Sequence, residues 1–347
     1  TDTDTDTDTD TDTDTDTGDD ECSGADSFDP DECLGVDAGV PVDGGADVTA
    51  VRFVNAAIAV PGNGTSWDRA FASLQDGIDG CRCAVLTLGE PCEVWVAQGV
   101  YTTDPTNRCG AFCLREDVAV YGGFLGNEAS LDARDWRGHA TTLSGDGIAY
   151  HVVKGADGAV LDGFTVSRGR ADGTDENLLG GGMFNHNASP IVANCAFSEN
   201  TATWGGGMYN LGGSPSVVNC TFSSNTAQTG GGGVFNHEAS PNVTNCAFIG
   251  NSADWGGGMM NYSSSAPELT NCTFEGNEAD SGGAIANLET ANARVTSSIL
   301  WGSDAPISNS GGVPTITYSD VQGGCAVAAG CTADETGNID ADPLFVG

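Results

Sequence analysis

The sequence predicts an all-β protein, a right-handed parallel β-helix of three-strand coils that each take about 25 residues. A glycine cluster returns at positions 180, 205, 231, 256 and 282, at intervals of 25 or 26 residues. Each unit holds three short β-rich runs separated by Gly, Asn and Ser-Pro or Ala-Pro. The fixed leucines of leucine-rich repeats and the long amphipathic helices of helical repeats are not found, which leaves a solenoid of stacked strands.

Two motifs recur in the units. The first begins with the glycine cluster and ends on Asn, as in Gly-Gly-Gly-Met-Phe-Asn at 180–185. The second is Asn-Cys-x-Phe-x-x-Asn, as at 194–200. Coils that stack about 4.8 Å apart place equivalent residues in vertical ladders. The ladders predicted to point inward are Val192, Val217, Val243, Leu269, then Cys195, Cys220, Cys246, Cys272, then Phe197, Phe222, Phe248, Phe274.

Three asparagine ladders are predicted to lie at bends, where Asn accepts unusual backbone angles and its amide can bond the amides above and below. They start at Asn185, Asn194 and Asn200. The middle one comprises Asn194, Asn219, Asn245 and Asn271. The stacked cysteines are expected to be free thiols, because a rung spacing of about 4.8 Å exceeds the usual Cβ separation of about 3.5–4.5 Å in a disulfide.

The chain divides into six segments: a Thr-Asp repeat tail (1–17), an acidic Cys-containing linker (18–49), an N-terminal strand and capping helix (50–80), irregular first coils (81–179), regular repeats (180–293), and last coils with a C-terminal segment (294–347). Residues 52–58 predict the opening strand. A helix is predicted to begin at Ser66 and to end at Gly80. Its apolar stripe would cover the open end of the first coil.

The charge balance restricts the partners. Lys and Arg number 11 against 49 Asp and Glu, a net charge of −38, which argues against nucleic acid or an anionic membrane. No apolar run approaches the roughly 20 residues of a membrane-spanning helix. The sequence shows no signal peptide and begins at Thr1 rather than Met, so we interpret it as a mature, trimmed or partial chain.

The N-terminal tail is strongly acidic, since 18 of the 49 carboxylates precede Arg52. It is expected to be a disordered stalk, a strand held by cations, or a strand that pairs with another chain. Asp26, Asp29 and Asp31 loosely resemble a calcium loop, the one cofactor considered, and would hold a structural Ca²⁺. Every threonine of the tract is a candidate O-glycan acceptor: Thr1, Thr3, Thr5, Thr7, Thr9, Thr11, Thr13, Thr15 and Thr17.

Nine of the 13 cysteines lie outside the repeat. Several form close pairs, which are typical of local disulfides in an oxidising compartment. The predicted pairs are Cys22 with Cys33, Cys81 with Cys83, Cys109 with Cys113, and Cys325 with Cys331, while Cys92 is left over. A zinc site is the alternative, although paired CxxC spacings and histidine partners are missing. Disulfides indicate an extracellular or cell-surface protein.

These residues carry a family resemblance. Gly-Gly-Ala-Ile at 282–285 and the recurring Phe-x-x-Asn, first at 197–200, are similar to the repeats of polymorphic-outer-membrane-protein-like bacterial secreted proteins. The chain thus resembles right-handed parallel β-helix proteins of the pectin-lyase-like superfamily. The resemblance implies that 64–75 is the capping helix and 94–101 the first coil. It also implies that 340–345 precedes a surface-anchoring region.

The resemblance implies two classes of enzyme whose catalytic residues can be sought in this sequence, polyuronate lyases and glycoside hydrolases. Polyuronate lyases of this fold use Asp-bound Ca²⁺ and an Arg or Lys base, yet no Lys or Arg occurs from 171 to 293. The remaining basic residues cluster in the first coils, with Arg134, Arg137, Lys154, Arg168 and Arg170 as examples. Glycoside hydrolases use grouped carboxylates, and candidates that pair across rungs or form a solvated face are Glu199, Asp254, Glu275, Glu278 and Asp280.

Two histidines and two tryptophans at equivalent repeat positions are further candidates for binding a metal ion or a sugar. His186 and His237 are equivalent and are expected to be exposed turn residues rather than a metal pair. Trp204 and Trp255 are also equivalent, and either stack on sugar rings or fill space at a turn.

The sequence therefore predicts an extracellular, non-enzymatic structural or adhesive protein, surface-displayed or assembling into filaments through its ends and its Thr-Asp tail. Its expected partner is itself or a cell-surface or extracellular glycan. The alternative is a polysaccharide-active enzyme, hydrolase or lyase, or a carbohydrate-binding β-helix.

Overall fold

The computed structural model describes residues 50–89, 91–303, 305–324 and 337–345. The strands pair in parallel and form four sheets that stack coil upon coil. Parallel strands joined by a crossover wind right-handed in nearly all proteins, which sets the hand of the coil. The predicted fold class, a right-handed parallel β-helix with one short helix, is confirmed.

Sheet A has ten strands: Ala50–Val54, Cys92–Ala97, Val118–Phe124, Val160–Asp162, Ile191–Ala193, Ser216–Val218, Asn242–Thr244, Glu268–Thr270, Arg294–Thr296 and Thr315–Thr317. Sheet B has nine: Gly99–Thr102, Thr141–Ser144, Thr165–Ser167, Ala196–Ser198, Thr221–Ser223, Ala247–Ile249, Thr273–Glu275, Ile299–Trp301 and Asp320–Val321.

Sheet C has eight strands: Phe112–Cys113, Val153–Lys154, Met183–His186, Met208–Leu211, Val234–His237, Met259–Tyr262, Ile285–Leu288 and Ile307–Ser310. Sheet D has five: Arg170–Ala171, Thr201–Trp204, Thr226–Gly230, Ser252–Trp255 and Glu278–Ser281.

Each regular coil carries four strands, so the prediction of three strands per coil is wrong in this region. The additional strands form sheet D, which lies between the Phe-x-x-Asn motif and the glycine cluster. In the first regular coil this run is Thr-Ala-Thr-Trp at 201–204. β-Branched and aromatic residues favour extended backbone, which accounts for the extra strand.

The predicted inward ladders fill the coil. The phenylalanine rings of neighbouring coils stack at centroid distances of 4.8, 5.0 and 4.4 Å, from Phe197 to Phe274. All four rings are fully buried, as are the valine, leucine and cysteine side chains beside them. Burial of one such ring contributes roughly 1.5–3 kcal/mol to folding. The interior is therefore a stack of nearly identical layers.

The repeat cysteines are buried thiols, as predicted. The Cys195 thiol donates to the Ala193 carbonyl at 3.1 Å, and the Cys220 thiol to Val218 at 3.3 Å. Burial raises the pKa of Cys220 well above its usual value and that of Cys272 to about 12. These two groups therefore remain protonated at neutral pH and act as small apolar fillers.

One asparagine ladder lies at bends as predicted. Asn194, Asn219, Asn245 and Asn271 all have left-handed backbone, with φ of 54 or 55°. Each begins the two-residue turn between sheets A and B, in which a repeat cysteine follows. The amide of Asn219 donates to Asn194 at 3.4 Å, and that of Asn271 to Asn245 at 3.3 Å.

The other two asparagine ladders are not bend residues, which corrects the prediction. Asn185 and its equivalents lie inside strands of sheet C, fully buried, with amide-to-amide hydrogen bonds of 2.7–2.9 Å. The ladder of Asn200 follows the bend instead. In its coils the left-handed residue is the one before the asparagine, for example Glu199 and Ser224. A buried amide satisfies backbone groups that a turn leaves inside the coil.

The capping helix begins later and runs further than predicted. A short 3₁₀ turn occupies Trp67–Arg69, and the α-helix, α1, spans Leu74–Leu88 with Ser73 as its N-cap and Gly89 as its C-cap. Ser73 accepts a hydrogen bond from the Asp76 amide at 3.2 Å. Gly80 does not end the helix. Leu74 and Ile78 join the interior cluster, so α1 covers the first coil.

The disulfide pairing differs from the predicted close pairs. Cys81 is bonded to Cys92 rather than to Cys83, since α1 and the first long strand of sheet A bring their Cα atoms to 5.4 Å. Cys83 and Cys109 are also disulfide-bonded. Cys113 retains its thiol, which donates to Ala111 O at 3.7 Å, so Cys109 does not pair with Cys113.

Two other predicted disulfides lie outside the described residues. Cys22 and Cys33 belong to the range 1–49, and Cys325 and Cys331 belong to the range 325–336. The pairing of Cys22 with Cys33 and that of Cys325 with Cys331 therefore stay predictions.

The remaining predictions for the N-terminal segment lie outside the described residues as well. They are the Thr-Asp tail with its candidate glycan acceptors, and the calcium loop at Asp26, Asp29 and Asp31. Among the helices of the described ranges, none combines the length and apolarity needed to cross a membrane.

Candidate functional site: an aromatic groove

Sheets C and D meet at the glycine cluster, and a groove opens between them. Its cavity volume is about 380 Å³. We call it the aromatic groove and define it by its lining: Leu179, Trp204, Tyr209, Thr229, Phe235, His237, Trp255, Met260, Tyr262 and Leu288. It faces away from the filled interior and spans several coils of the regular repeat.

The glycine cluster brings the two sheets together. Gly205 and Gly231 turn the chain with φ of +68 and +66°, a region that L side chains rarely adopt. A Cβ on Gly232 would lie 2.5 Å from the carbonyl oxygens of Gly257 and Ser252 in the next coil. Only glycine allows this backbone approach. The cluster predicted from its recurrence is thus the corner that shapes the groove.

The floor of the groove is the outward face of sheet C. Along each strand the residues alternate, so Met183 and Asn185 point into the coil while Phe184 and His186 point out. In each strand, the residue that follows the inward Met, Val or Ile points outward. Together these residues form a second cluster outside the coil: Phe184, Tyr209, Phe235, Met260 and Ala286. The rings of Tyr209 and Phe235 stack at 4.9 Å with 4° between their planes.

The wall of the groove carries two tryptophans on alternate coils. In sheet D, Trp204 pairs with Gly230 and Gly230 with Trp255. Trp204 meets Phe235 edge-on at 5.2 Å, and Trp255 remains 37% exposed. A Cβ on Gly230 would lie 2.2 Å from the Met260 sulfur. Gly230 therefore leaves space for the Met260 side chain between the two tryptophans. Trp204 and Trp255 stand two coil rises apart, about 9–10 Å.

Polar groups are few and fixed. The Tyr209 hydroxyl lies 3.0 Å from Nδ1 of His237, and burial raises the pKa of Tyr209 above its usual range. The Tyr262 hydroxyl donates to Glu289 at 2.6 Å, and this hydrogen bond together with the Glu289 charge raises the pKa of Tyr262. Both phenols are neutral at physiological pH. They orient hydrogen bonds at the edge of an apolar surface.

The predicted basic residues are held in structural contacts instead of facing the groove. Arg134 pairs with Asp162 at 2.9 Å and lies over the Tyr121 ring. Arg168 pairs with Asp146 at 3.2 Å and Arg170 with Asp172 at 2.8 Å.

Two other basic side chains complete this set. Arg137 lies over the Trp136 ring at 4.6 Å. Lys154 is 9% exposed, under a small depression that it lines together with Glu176 and His186.

The two histidines are strand residues rather than turn residues, whereas His186 is exposed as predicted. His186 and His237 end strands of sheet C. Only His237 lines the aromatic groove, while Nδ1 of His186 lies 3.0 Å from Glu176.

The fold distributes the five candidate carboxylates over three places. Asp254, Glu278 and Asp280 share a shallow depression on sheet D. Glu275 stands on sheet B beside Trp301, and Glu199 is the left-handed bend residue before Asn200. Among the described residues, no group of three or more His, Cys, Asp or Glu is arranged to hold a metal ion.

The floor of the groove was not identified from the sequence. Its signal was present, because an aromatic or Met residue follows the inward Met or Val in four successive units. Period-two alternation assigns that position to the outer face. The tryptophan wall was recognised, but only the fold places it opposite this floor.

Comparison with known proteins gives the family. A family model described as a right handed beta helix region matches residues 153–332, more than half of the chain. No curated protein matches the chain, and no solved structure does.

Proposed function

Because the chain belongs to the right-handed β-helix family, we propose that it is a non-catalytic, extracellular adhesive protein that binds a glycan chain in the aromatic groove. The observation that carries this proposal is the groove itself, in which the exposed Trp255 and the partly exposed Trp204 stand opposite a buried row of aromatic and Met side chains.

The geometry suits a sugar chain. Pyranose rings present apolar faces that stack on aromatic side chains, and their hydroxyls need a few fixed polar partners. Tyr209, His237 and Tyr262 offer such partners along the groove. The distance between Trp204 and Trp255 is about the length of two pyranose rings. A linear oligosaccharide would therefore lie along the solenoid axis.

The lining supports binding rather than catalysis. Its described residues include no carboxylate, Lys or Arg, whereas glycoside hydrolysis needs a pair of carboxylates flanking the scissile bond. The acidic residues of sheet D border a different depression. Filament growth by end-to-end stacking is not part of the proposal, because α1 covers the interior at the first coil.

The test is a binding screen of the whole protein against insoluble and oligomeric glycans, with Trp255→Ala as the variant. We expect the variant to lose at least about tenfold in affinity, equivalent to about 1.4 kcal/mol. Its stability should stay within about 0.5–1 kcal/mol of the parent, because Trp255 is partly exposed.

The matched control is Trp301→Ala, which removes a half-buried tryptophan from the outer face of sheet B and should bind as the parent does. Equal loss in both variants would contradict the groove as the binding site. Release of reducing or unsaturated ends from a bound glycan, abolished by Asp254→Asn or Glu278→Gln, would contradict the non-catalytic part.

A further inference from the structure

The sheet C border of the aromatic groove is acidic. On the sheet C side, Glu238 and Glu289 follow the strands at turn positions with φ of 53 and 57°. Glu289 bonds the hydroxyl of Tyr262, a groove residue, and Glu238 bonds Ser263 beside it. These carboxylates are held at the groove edge by named contacts.

Sheet D carries further carboxylates, which border the neighbouring depression. Asp254 directly precedes Trp255, and Asp280 occupies the equivalent position on the adjacent strand, next to Ala279, which pairs with Ala253. Both side chains are exposed. Among the described residues, none of Asp254, Asp280, Glu238 and Glu289 takes part in an ion pair. No cationic side chain therefore neutralises them, although hydroxyl groups donate to Glu238 and Glu289.

No basic side chain of the regular coils offsets them, since residues 171–293 contain eleven carboxylates and no Lys or Arg. The groove lies within the reach of these charges, because screening at physiological salt acts over about 8 Å. The faces of the aromatic rings are themselves negative. An anionic chain is repelled here, while a cation gains from both the carboxylates and the rings.

We propose that the groove selects a cationic glycan, a chain of amino sugars whose amino groups are free and protonated. This inference rests on the proposed glycan-binding function and adds the charge of the ligand. Sugar rings would stack on Trp255 and Trp204, and the ammonium groups would face Glu238 and Glu289. The acidic N-terminal segment 1–49 has the wrong charge to occupy the groove in a neighbouring copy.

The experiment compares three oligosaccharides of equal length by titration calorimetry with the full chain: a glucosamine oligomer, its N-acetylated counterpart, and a galacturonate oligomer. Buffer pH is set where the free amines are protonated. We expect the glucosamine oligomer to bind about tenfold tighter than the N-acetylated one, and the galacturonate oligomer not to bind. Added salt should reduce the preference.

Variants separate the groove from the overall negative charge. The double variant that combines Glu238→Gln with Glu289→Gln should lose the preference and bind the free-amine and N-acetylated oligomers with nearly equal affinity. Glu275→Gln on sheet B is the control and should keep the preference. A preference that survives in Trp255→Ala would show charge attraction away from the groove and would overturn the inference.

The remaining outcomes are distinct. Equal affinity for the free and N-acetylated oligomers would overturn the cationic preference and leave glycan binding in place. Binding of neither oligomer would overturn both the inference and the proposed function. Binding of a lysine-rich peptide in the groove without any glycan would also overturn both, in favour of a basic protein partner.

Discussion

The two faces of sheet C differ in how strictly they repeat. The inward face carries asparagine in coil after coil, at positions 185, 210, 236, 261 and 287, and only Met, Val or Ile at its other inward position. The outward face varies from Phe to Tyr, Phe, Met and Ala across the same coils. Stacking requires the inner regularity, since each layer packs against a copy of itself. The outer variation gives the groove a shape, which is why we place the function there.

The interior should respond most to truncation. Phe222→Ala removes a fully buried ring stacked between two others at 4.8 and 5.0 Å, and should lower the free energy of unfolding by about 3–5 kcal/mol. Chemical denaturation measures it. A decrease of less than about 1 kcal/mol in the free energy of unfolding would mean that the layers are not tightly packed. The interior would then not differ from the groove in its sensitivity to truncation.

Alanine substitutions at two glycines near the corner between sheets C and D should separate an effect on folding from an effect on binding. Gly232→Ala places a Cβ 2.5 Å from backbone oxygens and should destabilise by about 1–3 kcal/mol. Gly230→Ala meets the sulfur of Met260, the flexible end of a side chain in the groove. It should unfold nearly as the parent does but bind glycan more weakly. Thermal unfolding and the binding titration distinguish the two, and equal destabilisation would contradict the assignment.

The buried and the exposed asparagine ladders should differ in how much stability one substitution costs. Asn225 is fully buried and bonds Phe197 O at 2.9 Å and Asn251 at 3.0 Å, so Asn225→Ala leaves buried partners unpaired and should cost about 1–3 kcal/mol. Asn219 lies at an exposed bend, where water replaces the lost partner, although alanine is disfavoured at φ 54°. Asn219→Gly removes the amide without backbone strain and should cost under about 1 kcal/mol. Urea midpoints of the two variants give the comparison.

Alkaline pH probes the cysteine ladder. The folded pKa of Cys272 is about 12 against an ordinary thiol pKa of 9.0, so the unfolded chain loses this proton first as pH rises. The stability that this thiol contributes is complete below about pH 9 and is lost up to about pH 12, at roughly 1.4 kcal/mol per pH unit. Cys272→Ala should flatten that part of the stability-pH curve. An identical slope in the variant would contradict a buried, protonated thiol.

Much of the fold followed from recurrence in the sequence. Intervals of 25 or 26 residues and the motif Asn-Cys-x-Phe-x-x-Asn were enough to predict the parallel β-helix and its inward Val, Cys and Phe ladders. The reason is that a stacked coil repeats its neighbour's environment, so a side chain suited to one layer suits the next. A bend is also a local property, and the Asn194 ladder was placed correctly from Asn's tolerance of positive φ.

Local sequence patterns gave wrong predictions where packing between distant segments determines the structure. The bond between Cys81 and Cys92 depends on α1 packing against sheet A, and spacing along the chain favoured Cys83 instead. The end of α1 was placed at Gly80, but burial of its apolar side against the first coil extends it to Leu88.

By itself, the sequence determined the solenoid, its acidity and the absence of basic residues from 171 to 293. Only the tertiary structure decided that Trp204 and Trp255 stand opposite Tyr209, Phe235 and Met260 across the glycine corner. The wall belongs to sheet D and the floor to sheet C, and no spacing in one unit reports the angle between two sheets. That angle depends on the approach of backbones from neighbouring coils, which glycine permits and the stacked coils impose.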